Sequence, residues 1–428
     1  MAAKFCSDWR EIMTGGAKAE TILVIGAGEA GARAAMALRE NGFGGQVTIL
    51  GDEPHRPYER PPLSKAALTD ETEPQAAFIL TPERLDEHGI AHLGGRAVTV
   101  IDRGAHEVDL ADGERLSYDR LLIATGARAR RLTIPGAGPE NVLYLRTFEE
   151  ARKLRSRLAP GSHIAIIGGG FIGLELAASA RARGADVTLI ELAPRLLARA
   201  VPAAIAGVIA ARHEAAGVRL LTGTGIERIE AEGERHAIQL STGERIVCDG
   251  IIAGIGAVAE TGLAERAGLA IDNGIAVDER LATSDPDIFA AGDCCSFPHP
   301  LYGGRRLRLE AWRNAQDHGN AVAKSMLGSS DAYAAVPWFW SDQYDLTLQI
   351  AGLADEGPET VTRDLGGGTR LDFHLAGDGR LVAASAVGPN GRIAKEVRLA
   401  EMLIAKRATP DKAALSDISV KLKGLLAG

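Results

Sequence analysis

The sequence predicts an α/β chain in which one doubly wound unit occurs twice, followed by a smaller C-terminal α+β domain. Three observations carry this. A strand–glycine turn–helix signature occurs at residues 22–31 (ILVIGAGEAG) and again at 164–173 (IAIIGGGFIG). Each is followed by a second apolar β-branched run that ends on an acid, Asp52 after 47–51 and Glu191 after 187–190. Beyond about residue 332 the texture changes. There, residues 370–375 (RLDFHL) alternate as a half-buried strand does, a turn at 376–379 leads to a second strand at 381–387, and Ile393, Val397, Ala400 and Ile404 recur at helical spacing.

The elements follow in order. In the first unit, a strand over 21–25 leads into a helix over 29–41. A Pro-rich stretch at 53–65 (EPHRPYERPPLSK) then breaks the pattern, because consecutive prolines exclude a regular helix. Ser64 is placed to cap a helix starting near Lys65. The apolar run 118–126 closes this part as a strand. The second unit repeats the plan with a strand over 163–167, a helix over 171–183 and a strand over 186–190. A helix over 202–216 follows, then a strand pair at 218–229 and 236–240, and the unit ends at 251–256 (IIAGIG). Residues 287–293 (DIFAAGD) form a further strand entering a Gly-Asp turn.

Composition bounds the possibilities. The chain has 428 residues, 46% of them hydrophobic, enough for two or three domains with sizeable cores. A net charge of −8 argues against a general nucleic-acid binder. No apolar run approaches the roughly 20 residues needed to cross a membrane, and no signal peptide is evident. The first 20 residues read as a flexible extension. The four cysteines, Cys6, Cys248, Cys294 and Cys295, form no C-x-x-C pair and no disulfide framework, so a reducing, cytoplasmic setting is expected. No histidine spacing suggests a metal site, and none is expected.

Glycines at these spacings permit a tight turn and a close approach of backbone to a pyrophosphate, whose charge then meets the N–H groups of the helix start. Gly26, Gly28 and Gly31 fill these places in the first unit; Gly168, Gly170 and Gly173 do so in the second. Asp52 and Glu191 stand where an acid accepts hydrogen bonds from ribose hydroxyls. A carboxylate at Glu191 repels a 2′-phosphate and favours NADH over NADPH, with Arg195 as the opposing signal. Two dinucleotides held in one chain point to hydride transfer between them. The strand ends Thr125-Gly126 and Gly292-Asp293 have the form of segments that run under a flavin. They place FAD at the first fingerprint and NADH at the second.

At this point the sequence resembles the FAD-dependent NADH–ferredoxin reductases of bacterial oxygenase systems. The matching segments are 26–31 (GAGEAG), 60–65 (RPPLSK), 124–128 (ATGAR), 168–175 (GGGFIGLE), 253–256 (AGIG), 283–294 (TSDPDIFAAGDC) and 337–344 (PWFWSDQY). The resemblance implies a glutathione-reductase-like fold. Its FAD domain would comprise 21–128 and 257–331, its NAD domain 129–256 and its C-terminal domain 332–428. It also implies site residues. Ala30, Asp52, Lys65, Val98, Thr125, Arg128, Asp293 and Trp312 would contact FAD. Trp340 would lie near the flavin ring and Glu175 close to the nicotinamide, with Ile172 and Gly256 on the NAD side. Lys65, Glu175 and Trp340 would form the catalytic group. One departure stands out: where the family commonly carries Pro-Asn after AGIG, this chain has 257–261 (AVAET).

Disulfide reductases of this fold place redox cysteines beside the flavin. This chain has no cysteine between Cys6 and Cys248, so electrons are expected to leave the flavin directly for an iron–sulfur protein. The expected partner is a 2Fe–2S ferredoxin serving a Rieske oxygenase or a cytochrome P450. Arg128, Arg130, Arg305, Arg306, Arg308 and Arg313 would steer it. Alternatives are a rubredoxin or monodehydroascorbate-type reductase, and a redox-controlled interaction protein of the apoptosis-inducing-factor type.

Overall fold

A computed structural model describes residues 20–426. All but the last residue of the expected N-terminal extension lies outside the described residues, as does Cys6.

The repeat seen in the sequence is a repeat in space. In the first unit Thr21–Ile25 is the central strand of an all-parallel five-stranded sheet. The order across it is Ile288–Ala290, Arg120–Ile123, Thr21–Ile25, Gln46–Leu50, Ile90–Leu93. In the second unit His163–Ile167 takes the same place, in the order Val218–Leu221, Asp186–Ile190, His163–Ile167, Gly250–Ala253, Val142–Leu143. Strands of this kind are covered on both faces, which is why Ile22, Val24, Ile164 and Ile166 are buried in near-continuous apolar runs. Each unit carries a three-stranded antiparallel sheet: Val98–Asp102, Glu107–Leu110 and Arg115–Ser117 in the first; Ile226–Glu232, Arg235–Leu240 and Arg245–Cys248 in the second. The C-terminal part is a five-stranded antiparallel sheet with Ala394–Ala405 packed on it.

The units are joined by a short antiparallel pair, Ala127–Ala129 with Ala257–Ala259. The departing segment 257–261 thus supplies one of the two strands of that crossing. A single apolar core then ties three regions together. It holds Leu63 and Leu68 from the Pro-rich excursion, Leu174 and Leu176 from the second unit, and Leu348, Ile350 and Val387 from the C-terminal sheet.

Four local expectations are corrected. Ser64 caps no helix: Pro61–Ser64 is itself a 3₁₀ turn, Lys65 is the N-cap of Ala66–Thr69, and the Ser64 hydroxyl is drawn to Glu175 instead. The run 218–229 is not one strand. Val218–Leu221 belongs to the parallel sheet, Ile226–Glu232 begins the antiparallel one, and Gly223, at φ +64°, turns the chain between them. The closing strand of the first unit is Arg120–Ile123, shorter than 118–126: the Tyr118 N–H goes to the His106 carbonyl, off the parallel sheet, and Gly126 at φ +70° turns the chain beyond the other end. The expected helices end at Glu40, Ala182 and Ala215, one residue short in each case.

Candidate functional site

The two glycine turns have the same construction. A Cβ on Gly26 would lie 2.1 Å from the Ala124 carbonyl oxygen, and one on Gly168 would lie 2.4 Å from that of Gly254. The third glycine of each set is equally constrained: a Cβ on Gly31 would meet Gly26 O at 2.0 Å, and one on Gly173 would meet Gly168 O at 1.9 Å. These four positions are therefore glycine because of neighbouring backbone. The middle glycines differ. A Cβ on Gly28 would touch nothing within 4 Å, and one on Gly170 would reach only Gly254 O at 4.0 Å. Gly28 and Gly170 are also the N-caps of Glu29–Glu40 and Phe171–Ala182, with no side chain capping either helix. Uncapped helix N–H groups facing open space fit a pyrophosphate at both places.

The acids at the strand ends differ in setting. Asp52 is exposed and accepts from the backbone N–H of Glu53 at 3.0 Å. Glu191 is held in place: Oε2 accepts from Gly169 N–H at 2.5 Å and Oε1 from Ala193 N–H at 2.7 Å. The Arg195 guanidinium is spent on the carbonyls of Leu196 and Ala198. It forms no ion pair with Glu191, whose two oxygens are taken by backbone N–H groups instead.

A polar junction ties the helix of the second cradle to the Pro-rich segment and the C-terminal sheet. Glu175, 5% exposed, sits on Phe171–Ala182, the helix of the second cradle. Its Oε2 accepts from Ser64 Oγ at 2.5 Å and pairs with Lys65 Nζ at 2.7 Å. Its Oε1 accepts from Ser341 Oγ at 2.6 Å, on the first strand of the C-terminal sheet. A charge buried this deeply is tolerated only when paired and hydrogen-bonded, and here two segments supply the donors, the Pro-rich stretch through Ser64 and Lys65 and the C-terminal sheet through Ser341. Close by in the fold, Trp340 stacks on Trp338 with ring centroids 5.4 Å apart and meets Trp312 edge-on at 5.8 Å. Trp338 and Trp340 share a strand face, as their spacing of two requires. Trp312 Nε1 donates to Glu59 and Trp340 Nε1 to Asp342.

A second group forms at the strand ends of the first unit. Asp293 pairs with Arg146 at 2.9 Å, and the same guanidinium lies beside Gly126. Thr125 Oγ1 donates to the carbonyl of Glu260, and Ala30 packs against Gly292. Arg128 is exposed and paired with Glu260 at 3.0 Å. Val98 begins the antiparallel sheet of this unit, half-buried against its core. Ile172 is 44% exposed at the start of the second helix, and Gly256 adopts φ +101° in open space.

The structure adds residues that sequence reading missed. Ser64 and Ser341 lie inside the quoted motifs, but their common target is visible only in three dimensions. Arg146 and Glu59 carry no local signal. The expected basic surface is largely neutralised: Arg305 pairs with Asp355 and Glu356, Arg306 with Asp272, Arg308 with Glu310, and Arg313 with Glu401. Of the six arginines, Arg130 alone has no carboxylate partner among the described residues; it donates to the carbonyl of Ala257. Among the described residues no cluster of histidine, cysteine or acid could hold a metal ion, and no helix is long and apolar enough to cross a membrane.

Two glycine turns built for dinucleotides, with a buried carboxylate on the second helix paired to Lys65, are the frame of an FAD- and NADH-dependent oxidoreductase. Residues 20–319 match the pyridine nucleotide-disulphide oxidoreductase family, and 338–426 match the reductase C-terminal domain. The chain is 40% identical to rhodocoxin reductase of Rhodococcus erythropolis, covering 94% of each chain. It is also 40% identical to the anthranilate 1,2-dioxygenase system ferredoxin–NAD(+) reductase component of Burkholderia cepacia, covering 95% of this chain and all of the other. The crystal structure of the ferredoxin reductase for the CYP199A2 system from Rhodopseudomonas palustris superposes with a TM-score of 0.89 at 37% identity, over 95% of this chain and 99% of that one. The chain belongs to the pyridine nucleotide-disulphide oxidoreductase family and, within it, to the ferredoxin–NAD(+) reductases of oxygenase systems.

Proposed function

We propose that this chain takes electrons from NADH and passes them singly to a 2Fe–2S ferredoxin that feeds a Rieske oxygenase or a cytochrome P450, in the cytoplasm. The observation that carries this reading is the pair of Lys65 with the buried Glu175, which has no cysteine beside it among the described residues. FAD, when bound, supplies the chemistry that accepts a hydride and releases single electrons. The protein supplies position and charge. We assign FAD to residues 21–128 and 257–331, NADH to 129–256, and the third wall of the site to 332–428.

Within that assignment the residues have distinct tasks. Gly26, Gly28, Ala30 and Gly31 admit the FAD pyrophosphate. Asp52 receives the ribose, and Val98, Thr125, Gly126, Arg128, Asp293 and Trp312 line the remainder. Gly168, Gly170, Ile172, Gly173, Glu191 and Gly256 receive NADH. Lys65 holds a cation at the point where negative charge develops as hydride arrives. Glu175 keeps that cation in place and orients the nicotinamide side. Trp340 walls the ring off from water. An acidic ferredoxin is steered by the arginine surface, with Arg130 as its uncompensated charge.

The test is direct. The purified chain is supplied with NADH or NADPH and with a 2Fe–2S ferredoxin, a rubredoxin or monodehydroascorbate. NADH with the ferredoxin is expected to give the highest kcat/KM. A preference for either other acceptor would overturn the ferredoxin reading. Arg130→Glu is expected to raise the ferredoxin KM about 3- to 10-fold at low salt, less at high salt, and to leave ferricyanide reduction unchanged. An unchanged ferredoxin KM would remove Arg130 from the docking surface.

A further inference from the structure

One acid beside the first cradle has no part in the roles above. Glu29 follows Gly28 directly and opens the helix Glu29–Glu40, at the turn that admits the pyrophosphate. Its Oε2 is buried without a hydrogen-bond partner. Its Oε1 receives the Gln316 amide at 3.3 Å, a long bond.

The surroundings give Glu29 little help as an anion. From the Pro-rich segment it faces the carboxylate of Glu59, which is bonded to Trp312 Nε1 at 2.7 Å; the neighbouring Arg60 is turned to Glu53. From the helix Trp312–Met326 it faces Trp312 and Gln316. On its own helix the cation acting on it is Arg33, which is paired with Glu40 and donates to Asn320 at 2.6 Å. At the turn packed on Ala30, Asp293 is paired with Arg146. Burial first, then the charge of Glu59, push the Glu29 carboxyl up from 4.5 to about 7. An FAD pyrophosphate brought to the same helix start adds two further negative charges.

We propose that Glu29 is a further FAD-binding group and that it receives the cofactor as the neutral acid, so that FAD binding draws one proton from solution. This rests on the assignment of FAD to the first cradle. The balance is simple: the apo-protein carboxylate, one proton from the buffer and FAD give the complex with a carboxyl, and no electrons move. Protonation removes a repulsion beside the pyrophosphate. It also turns an unpartnered acceptor into an O–H donor at the cradle.

The direction with pH follows. At pH well below 7 Glu29 is already protonated in the apo-protein, so binding takes up no proton. As pH rises above about 7 the proton must be supplied on binding. The affinity for FAD then falls, approaching tenfold per pH unit.

The experiment strips FAD from the full chain and follows its rebinding from about pH 6 to about pH 9. Flavin fluorescence gives the affinity, and calorimetry in two buffers of different ionisation heat gives the protons taken up. The expected result is close to one proton at about pH 8.5 and close to none at about pH 6. Glu29→Gln, neutral and of the same shape, is expected to bind with an affinity independent of pH and with no proton uptake. Glu59→Gln is expected to keep the uptake but move its onset to lower pH, because a charge that raises the Glu29 pKa is gone. PH-independent binding without proton uptake in the unaltered protein overturns the proposal, and so does uptake that survives in Glu29→Gln. Failure to bind FAD at any pH would instead overturn the assignment of the first cradle.

Discussion

At the level of single residues the decisive group is Glu175, which side chains from two other parts of the chain hold at once. Ser341 reaches it from the C-terminal sheet at 2.6 Å, so that sheet controls the orientation of the carboxylate without itself carrying charge to it. Ser341→Ala removes one donor from a buried anion, a loss on the order of 1–3 kcal/mol where nothing replaces it. Part of that cost is expected as misorientation: flavin reduction by NADH slows about tenfold in stopped-flow absorbance, while the FAD content and the NADH affinity stay close to normal. Ser341→Thr, which keeps the hydroxyl, is expected to recover most of the rate. Equal loss in both variants would mean that packing, not the hydrogen bond, matters. Glu191 supports a second expectation. Because both its oxygens are fixed by backbone N–H groups, it presents a rigid negative charge rather than a mobile one. Glu191→Ala is therefore expected to narrow the NADH-over-NADPH ratio of kcat/KM at least tenfold. An unchanged ratio would place the discrimination elsewhere. Lys65, Glu175 and Glu191 were legible in the sequence, since their motifs fix their place on an element. Ser64 was misread as a helix cap because its true partner, Glu175, is 111 residues away. Arg146, whose partner Asp293 is 147 residues away, escaped notice for the same reason.

At the level of elements, strands with two buried faces were the easiest to read, because their apolar runs leave one assignment open. Edges were harder. Residues 218–229 (VRLLTGTGIERI) contain a Thr-Gly-Thr-Gly break at 222–225, and the turn at Gly223 parts them between two sheets. The C-terminal tail was not legible at all. Its carbonyls meet Arg363, 2% exposed, on the edge strand Glu359–Gly366. The guanidinium donates to the carbonyls of Leu415, Ala414, Asp417 and Val420 at 2.6–3.0 Å. One cation thus satisfies carbonyls at the end of the short helix Lys412–Ser416 and in the turn beyond it. Arg363→Met keeps much of the volume but leaves these acceptors to water. A loss of about 3 kcal/mol is expected in urea unfolding, together with faster amide hydrogen exchange confined to residues 411–426. Exchange unchanged in that segment would show that apolar packing of Leu415 and Leu422, not the arginine, holds the tail.

At the level of the whole molecule, the repeated unit explains how two dinucleotides are held, but not how electrons leave. The internal duplication is written in the glycines and the acids. The meeting of its two copies with a third sheet is written in a shared core that no local pattern reveals. The exit route turns on the cysteines. Cys248, Cys294 and Cys295 are free and buried, and desolvation pushes the Cys248 thiol up to about 11 and those of Cys294 and Cys295 upward as well. Cys294 directs its Sγ at the carbonyls of Ala291 and Ile123, inside the sheet of the first unit. Thiols so placed are neither nucleophiles nor ready disulfide partners, since the reactive form is the exposed thiolate. Among the described residues, then, no thiol is placed to relay electrons through a disulfide. In a Cys6→Ser background, NADH-driven ferredoxin reduction is therefore expected to be unchanged after treatment with iodoacetamide or arsenite, with or without prior reduction by NADH. Mass spectrometry of the folded protein is expected to find no adduct on the three buried cysteines. An adduct on Cys294 or Cys295 that appears only after NADH is added, together with loss of ferredoxin reduction, would reveal a thiol step and overturn direct transfer.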